Sequence, residues 1–241
     1  MAKLPVLMYH NFTLNVTESN GLTISAEKFE RQLNYFTKNN YQFLWSSDLE
    51  SIQKICRKSV VLTFDDVTQN QMDIALPLLK KYQAKATFFV PFAYLGATDL
   101  WNKGKDYQNQ KIMTAEQLQS LDANLIQLAH HSYQHCKYSE MSEQEINDDF
   151  ENASKVILHH NLNIFPALAY PYGNYPKKDT HAKSIFFKTL EKQGIKIAFR
   201  IGNRLNKIPK NTSQYEWQRI DVKGEFSLLK FKWLLKFGKL F

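Results

Sequence analysis

The sequence predicts a single-domain α/β barrel. Three observations lead to this fold class. Short apolar runs alternate with segments of helical period along most of the chain. The runs are apolar on successive residues, which is typical of parallel strands buried on both faces. Six to eight such runs suit a barrel, and a chain of 241 residues with 44% hydrophobic residues can bury one substantial core.

The first half of the chain establishes a β-α-β-α order. Four apolar runs are strand candidates: Val6–Tyr9, Phe43–Trp45, Val60–Phe64 and Ala86–Pro91. Between them lie three segments of helical period: Ala26–Asn39, Asp48–Arg57 and Gln71–Tyr82. This alternation predicts parallel strands joined by crossover helices.

The second half continues the pattern with less regular spacing. Helix starts are predicted at Thr114 and Ser142, because each hydroxyl is followed three residues later by Gln or Glu, as in a capping box. Gly194 is predicted to end a helix before the next strand. The strand candidates here are Leu125–Ala129, Ala167–Tyr170 and Ile195–Ile201.

Composition limits the classes of partner and compartment. The net charge of +8 favours an anionic partner such as a phosphate-bearing glycolipid, a membrane surface or nucleic acid. We expect no nucleic-acid binding, since no recognised binding motif accompanies the charge. Two cysteines, Cys56 and Cys136, are too few for a disulfide framework and indicate a reducing compartment. With neither a signal-like nor a membrane-spanning run, we expect a cytoplasmic, at most peripheral protein.

The C-terminal segment, residues 223–241, is predicted to be an appendage to a domain of residues 1–222. Its last part, Phe226–Phe241, mixes ten apolar residues with four lysines, a composition that fits a membrane-surface segment. On a helical projection Lys232, Lys236 and Lys239 share a side, whereas Lys230 lies roughly opposite. Membrane-surface binding and an ordinary packed helix remain equal alternatives.

Two adjacent carboxylates, Asp65 and Asp66, end the buried strand Val60–Phe64. Parallel α/β folds place their functional sites at the carboxyl ends of strands. Capping of the next helix would explain one aspartate but not two. Because successive strand residues point to opposite faces, both carboxylates reach one site only if the chain turns at the pair.

A histidine cluster follows another predicted strand. His131 and His135 are four residues apart, which on a helical turn places both imidazoles on one face. With one carboxylate they would make three protein ligands and leave a position open for water, as in catalytic zinc sites. If the strand continues to His130, alternation turns that side chain away from His131.

The third candidate is a strand that runs into the turn Tyr170-Pro171-Tyr172-Gly173. Turn chemistry alone explains the proline and glycine. The two tyrosines could also form a wall on which a sugar stacks, and the backbone N–H groups of the turn could face an oxyanion.

The sequence resembles the polysaccharide deacetylases with a NodB homology domain, carbohydrate esterase family 4. Thr63-Phe-Asp-Asp66, the His-Ser-x-x-His of residues 131–135 and Tyr170-Pro-Tyr-Gly173 occur in the family's order, each after a predicted strand. The resemblance extends from Leu7-Met-Tyr-His10 to Arg219-Ile-Asp-Val222. It looks closest to the branch that partly deacetylates β-1,6-linked poly-N-acetylglucosamine.

The resemblance implies a distorted (β/α)7 barrel and a divalent metal, most commonly zinc. It matches Asp66, His131 and His135 to the metal ligands and Asp65 to the general base. It matches Tyr172 to the residue whose backbone N–H stabilises the oxyanion. The implied activity is removal of N-acetyl groups from amino sugars of a polysaccharide, a lipopolysaccharide or a lipid-linked glycan.

Two departures from the family pattern affect the mechanism. Ala169 stands where many members carry an arginine that orients the base, so Asp65 needs another partner, for which we nominate Arg219. The family often supplies its general acid from a late Leu-x-His, but no histidine follows His181. We nominate His10, at the end of the first strand, although a structural role is equally consistent with this position.

The missing late histidine keeps one alternative open. The chain could be a catalytically weak or inactive relative that binds glycans and retains the metal site. Retention of Asp65 beside Asp66 opposes this alternative. A purely structural role for the carboxylates and histidines is disfavoured by the order of the three motifs.

Overall fold

The computed structural model describes residues 2–102 and 109–238, and within these ranges the chain forms twelve strands and six α-helices. The strands are β1 Ala2–Leu4, β2 Val6–Tyr9, β3 Asn11–Thr13, β4 Thr23–Ser25, β5 Gln42–Leu44, β6 Ser59–Asp65, β7 Ala86–Val90, β8 Ile126–His130, β9 Ile164–Ala169, β10 Ile197–Ile201, β11 Asn206–Ile208 and β12 Trp217–Asp221. The helices are α1 Ala26–Lys38, α2 Leu76–Lys81, α3 Ala115–Gln119, α4 Glu143–His159, α5 Thr180–Lys192 and α6 Leu228–Phe237.

Seven parallel strands close into a barrel. Their order is β2-β12-β10-β9-β8-β7-β6, and β6 pairs back onto β2. Strand β5 pairs with the first residues of β6, outside the closed ring. This architecture confirms the predicted single-domain, distorted (β/α)7 barrel.

Strand β6 illustrates how the barrel is filled. Val60, Leu62 and Phe64 pack against the surrounding helices, while Val61 belongs to the cluster inside the barrel. This alternation places Asp65 on the inner side at the carboxyl end of the strand. The carboxylate of Asp65 therefore lies at the mouth of the barrel, above an apolar interior.

The helix boundaries follow the predicted caps. The side chains of Thr114 and Ser142 accept the backbone N–H three residues on, and Gln117 and Glu145 complete both capping boxes. Gly194 has a φ of 75°, which is the left-handed conformation expected just beyond the end of α5.

One predicted helix is wrong. Residues 48–57 contain a 3-10 turn at Ser47–Leu49 and no α-helix. Ile52 and Ile55 have helical spacing, but they pack separately, as partly buried residues, against the cluster inside the barrel. The apolar spacing therefore arises from an irregular connection.

The C-terminal segment forms helix α6, which packs on α1. Phe231 is buried and contacts Phe36 at a ring-centroid distance of 5.6 Å. Residues 239–241, including Lys239, lie outside the described residues. In residues 2–102 and 109–238, the structure contains no helix with the length and apolar character to cross a bilayer.

Candidate active site and metal centre

The two aspartates after β6 reach one site because the chain turns at the pair. Asp66 has a φ of 75° and Val67 a φ of 45°, both in the left-handed region that non-glycine residues rarely adopt. Such backbone strain is typical of functional sites. Both carboxylates are buried, Asp65 at 2% and Asp66 at 5% exposure.

His131 and His135 are brought to Asp66 by a turn and not by a helix. Ser132 and His135 have φ values of 66° and 55°. Both Nε2 atoms lie 3.4 Å from Asp66 Oδ1. The helical spacing inferred from the sequence thus gave the correct proximity with the wrong local conformation.

A single buried carboxylate holds this histidine turn. Asp149 on α4 is 6% exposed. Its Oδ1 accepts hydrogen bonds from Ser132 Oγ at 2.8 Å and from the backbone N–H of Tyr133 at 2.9 Å. Its Oδ2 accepts a hydrogen bond from Tyr138 at 3.1 Å. The turn that carries both histidines is therefore tied to helix α4.

The donor set fits a divalent metal. One ligand atom from each of Asp66, His131 and His135 lies within 4.8 Å of the others. His131 Nδ1 donates to the Ala169 carbonyl at 2.8 Å, which directs the lone pair of Nε2 towards Asp66. Within residues 2–102 and 109–238, the buried Asp66 Oδ1 accepts no hydrogen bond. An oxygen left in this state is suited to a cation, and two imidazoles with one carboxylate form a typical catalytic zinc set.

Arg219 on β12 holds Asp65 through a buried, two-pronged ion pair. Its Nη1 donates to Oδ1 at 2.5 Å and its Nη2 to Oδ2 at 2.8 Å, and Arg219 is fully buried. His10 Nε2 lies 3.8 Å from Asp65 Oδ2, and His131 Nε2 lies at the same distance. The structure thus brings the nominated base, its cationic partner and His10 together at the barrel mouth.

A glutamine fixes the backbone beside this group. Gln71 Nε2 donates to the carbonyl oxygens of His10 at 2.7 Å and Asp65 at 2.6 Å. Gln71 begins a π-helical turn, Gln71–Ala75, directly before α2. Such turns occur frequently at functional sites.

The charges of the cluster determine its protonation. Burial alone raises the pKa of Asp65, but Arg219 and then His131 outweigh it and hold this pKa below its usual value. Burial is likewise outweighed at Asp66, where the two imidazoles keep the pKa well below its ordinary range. Burial lowers the pKa of His135, whereas the two carboxylates raise that of His131 despite burial. Both carboxylates are therefore ionised at neutral pH.

The two tyrosines of the predicted sugar wall are separated by the structure. Tyr170 is fully buried and its hydroxyl donates to the Tyr215 carbonyl, so its ring belongs to the core. Tyr172 has a φ of 57°, is 45% exposed and lies with its ring centroid 4.7 Å from that of His135. Burial raises the pKa of Tyr172 to about 12, so its hydroxyl stays neutral.

Gly173 completes this turn. A side chain there would place Cβ 2.9 Å from Ile201 Cγ1, and the φ of 63° also favours glycine. The glycine thus has a packing requirement in addition to the turn requirement seen in the sequence.

Sequence reasoning missed two residues that surround the histidines. Trp101 stacks on His135 with a ring-centroid distance of 4.2 Å and an interplanar angle of 17°. Nothing near Trp101 in the sequence indicates this contact. Asp149 could have been noticed, because it lies among the buried residues Ile146, Phe150 and Ala153 on the inner face of α4. His130, in contrast, lies at the end of β8 and packs between Phe92 and Phe150, away from the cluster.

Comparison with protein families places these residues in a known context. A family model described as polysaccharide deacetylase matches residues 53–190, more than half of the chain. The matched region includes Asp65, Asp66, His131, His135 and the Tyr170–Gly173 turn.

Two curated relatives are similar to most of this chain. One is YxkH of Bacillus subtilis, whose name describes it as a polysaccharide deacetylase. It is 29% identical over 189 residues, which are 75% of this chain and 61% of YxkH. The chain thus spans less than two thirds of that relative. The poly-β-1,6-N-acetyl-D-glucosamine N-deacetylase of Staphylococcus epidermidis is 23% identical over 231 residues, 90% of this chain and 74% of the relative.

Solved structures share the fold. IcaB from Ammonifex degensii superposes with a TM-score of 0.75 at 22% identity, covering 98% of both chains. The Streptococcus pyogenes deacetylase PplD, solved in complex with acetate, superposes with a TM-score of 0.73 at 22% identity, covering 97% of this chain and 98% of its own.

Proposed function

The chain belongs to the polysaccharide deacetylase family, as its three motifs predicted, and on that premise we propose that it is a metal-dependent hydrolase that removes N-acetyl groups from amino sugars. The observation that carries this proposal is the buried arrangement at the barrel mouth. Asp66, His131 and His135 converge on one point, and Asp65, held by Arg219, lies beside them.

We propose zinc as the metal, held by Asp66, His131 and His135. When bound, such an ion would supply Lewis acidity, polarising the acetyl carbonyl and lowering the pKa of water to about 7. The ionised Asp66 and the imidazole of His131, oriented by the Ala169 carbonyl, are prepared to act as ligands.

The remaining groups supply the proton transfers. Asp65 accepts the proton of the attacking water, and Arg219 keeps this carboxylate ionised and oriented. The backbone N–H of Tyr172 is proposed to stabilise the tetrahedral oxyanion. His10 Nε2 is proposed to donate a proton to the leaving amine, so that the C–N bond breaks and acetate and a free amino sugar result.

We propose that the substrate is an N-acetylated amino sugar of a polysaccharide, a lipopolysaccharide or a lipid-linked glycan. The name of the Staphylococcus epidermidis relative supports an N-acetylglucosamine polymer. The same proposal includes peripheral contact of residues 223–241 with a membrane surface. The net charge of +8 is consistent with both an anionic glycan and such a surface.

The alternative is a glycan-binding relative that keeps the metal without turnover. The absence of a histidine after His181 favours it. The intact ion pair between Asp65 and Arg219 opposes it, because a binding module needs no oriented general base.

A mass-spectrometric screen for acetyl loss from a panel of N-acetylated glycans, with and without added zinc, tests the proposal. We expect zinc-dependent loss of acetyl with the wild-type chain and almost none with Asp65→Asn. Glycan binding without acetyl loss from any panel member would favour the alternative.

A further inference from the structure

The outer face of helix α6 carries an exposed apolar stripe. Leu229, Trp233 and Phe237 are 78%, 36% and 42% exposed. They follow one another at intervals of four residues, so they align along one side of the helix. Large apolar side chains in such a row are unusual on a surface that faces only water.

The opposite face of the same helix is already used for packing. Phe231, Leu234 and Leu235 are buried, and Phe231 meets Phe36 of α1 edge-on, with an interplanar angle of 70°. Because the helix turns by about 100° per residue, this buried face lies roughly opposite the exposed stripe. The exposed residues are therefore not part of the core contact.

Lysines border the stripe on both sides. On the helical projection Lys232 and Lys236 lie on one side of the stripe, and Lys230 lies on the other. Lys230 Nζ is 5.0 Å from the ring centroid of Trp233, and Lys236 Nζ is 5.0 Å from that of Phe237. In the sequence, Lys230 lies opposite the other lysines and therefore disturbs a simple division into one polar and one apolar face. The structure explains this position, because the helix has a buried face for packing and an exposed apolar stripe that lysines border on both sides.

We propose that the outer face of α6 is a docking surface for a bilayer with anionic headgroups. Leu229, Trp233 and Phe237 would enter the boundary between headgroups and acyl chains, and the lysines beside them would extend outwards to the phosphate groups. Residues 228–237 include no acidic side chain, so every charge that the helix itself contributes to this face is positive and complementary to a negative surface.

The test measures sedimentation of the full chain with phosphatidylcholine vesicles, with and without phosphatidylglycerol. We expect binding only with the anionic lipid. Binding should be weaker at 1 M salt than at about 0.1 M salt, because the Debye length falls from about 10 Å to about 3 Å. The combined substitution Leu229→Gln, Trp233→Gln and Phe237→Gln is expected to weaken binding by about tenfold or more.

Matched controls distinguish binding through this surface from non-specific adsorption to vesicles. Leu158→Gln changes an equally exposed leucine, at 79%, on helix α4 and should leave binding unchanged, whereas Leu229→Gln should weaken it. Lys230→Gln with Lys236→Gln should cost about fivefold per lysine on anionic vesicles. Lys80→Gln with Lys188→Gln, two exposed lysines on other helices, should cost much less.

Vesicle binding that is equal in the wild type and the folded triple variant would overturn the proposal. Self-association that disappears in the triple variant while vesicle binding persists would assign the face to a second copy of the chain and would also overturn it. The readout is independent of the chemistry at the barrel mouth. Acetyl release from a soluble glycan should be the same in the triple variant and the wild type.

Discussion

The ion pair between Arg219 and Asp65 gives the most quantitative prediction for the mechanism. In the substitution Arg219→Met, Asp65 stays buried but loses both hydrogen bonds and the adjacent cation. Since an opposite charge at this distance lowers a carboxyl pKa by about 1–3 units, its removal should raise the pKa of Asp65 by a similar amount. Because only an ionised carboxylate accepts a proton from water, the proposed role of Asp65 as base predicts that Arg219→Met is less active than the wild type at low pH.

The assay is the pH dependence of kcat/KM for acetyl release by the zinc-loaded protein. The acid limb of this profile should move upwards by about 1–3 pH units in Arg219→Met. Arg219→Lys keeps the charge but loses the two-pronged geometry, so its acid limb should lie between those of the wild type and Arg219→Met. An unchanged acid limb in folded, metal-loaded Arg219→Met would refute the role of Arg219.

Stability must be followed in the same experiment. Removing one partner of a buried ion pair costs about 3–5 kcal/mol, so the assay temperature has to stay below the midpoint of unfolding. The depressed pKa of Asp65 contributes stability above its unfolded value of about 3.9, and this contribution is lost as the pH falls through the folded value. Arg200→Met is the control for loss of an arginine at the same end of the barrel. Arg200 lies on the neighbouring strand β10, and its guanidinium is near the ring of Tyr175, so its loss should leave the pKa of Asp65 unchanged.

Three further predictions concern the other groups of the site. His131→Ala should lower the zinc content of protein purified without chelator, and unchanged metal stoichiometry would contradict its assignment as a ligand. Asp65→Asn should abolish most acetyl release while zinc content stays near that of the wild type, because its neighbour Asp66 is assigned to the metal; joint loss of zinc and activity would show that the two aspartates share or exchange roles. His10→Gln should lower kcat by about 10²–10⁴ if it donates the proton to the leaving amine, whereas a rate within about threefold of the wild type would exclude it as the principal acid.

The proximity of the site residues could be predicted because each of their motifs follows directly after a strand of the barrel. The carboxyl ends of parallel strands meet at one end of a barrel, so the residues after β6 and β8 had to come close together. Motifs after these strands therefore predicted that the Asp65–Asp66 pair lies near His131 and His135, whereas the choice of Asp66 as a metal ligand came from the family resemblance and stays a prediction. The turn conformation of the histidines was missed, because four-residue spacing is compatible with both a helix and the strained turn that forms here.

Residues whose environment depends on distant segments were harder to predict. Tyr170 and Tyr172 differ by two positions, yet one is buried beside Tyr175 and the other borders His135. The stacking of Trp101 on His135 joins residues 34 positions apart in the sequence, and no periodic pattern encodes such a contact. The helix predicted over residues 48–57 is wrong because a spacing of three between two apolar residues, Ile52 and Ile55, is also compatible with an irregular connection that packs both side chains on the core.

The contacts of Asp149 have a consequence for how the protein would acquire the proposed metal. Its carboxylate orders the turn between the two histidines through hydrogen bonds from Ser132 and the backbone of Tyr133, all anchored on α4. A loop that is already ordered does not lose conformational entropy when an ion arrives. Ordering of this loop should therefore subtract little from the affinity for the ion, and loading should proceed as a simple association step without a slow folding phase.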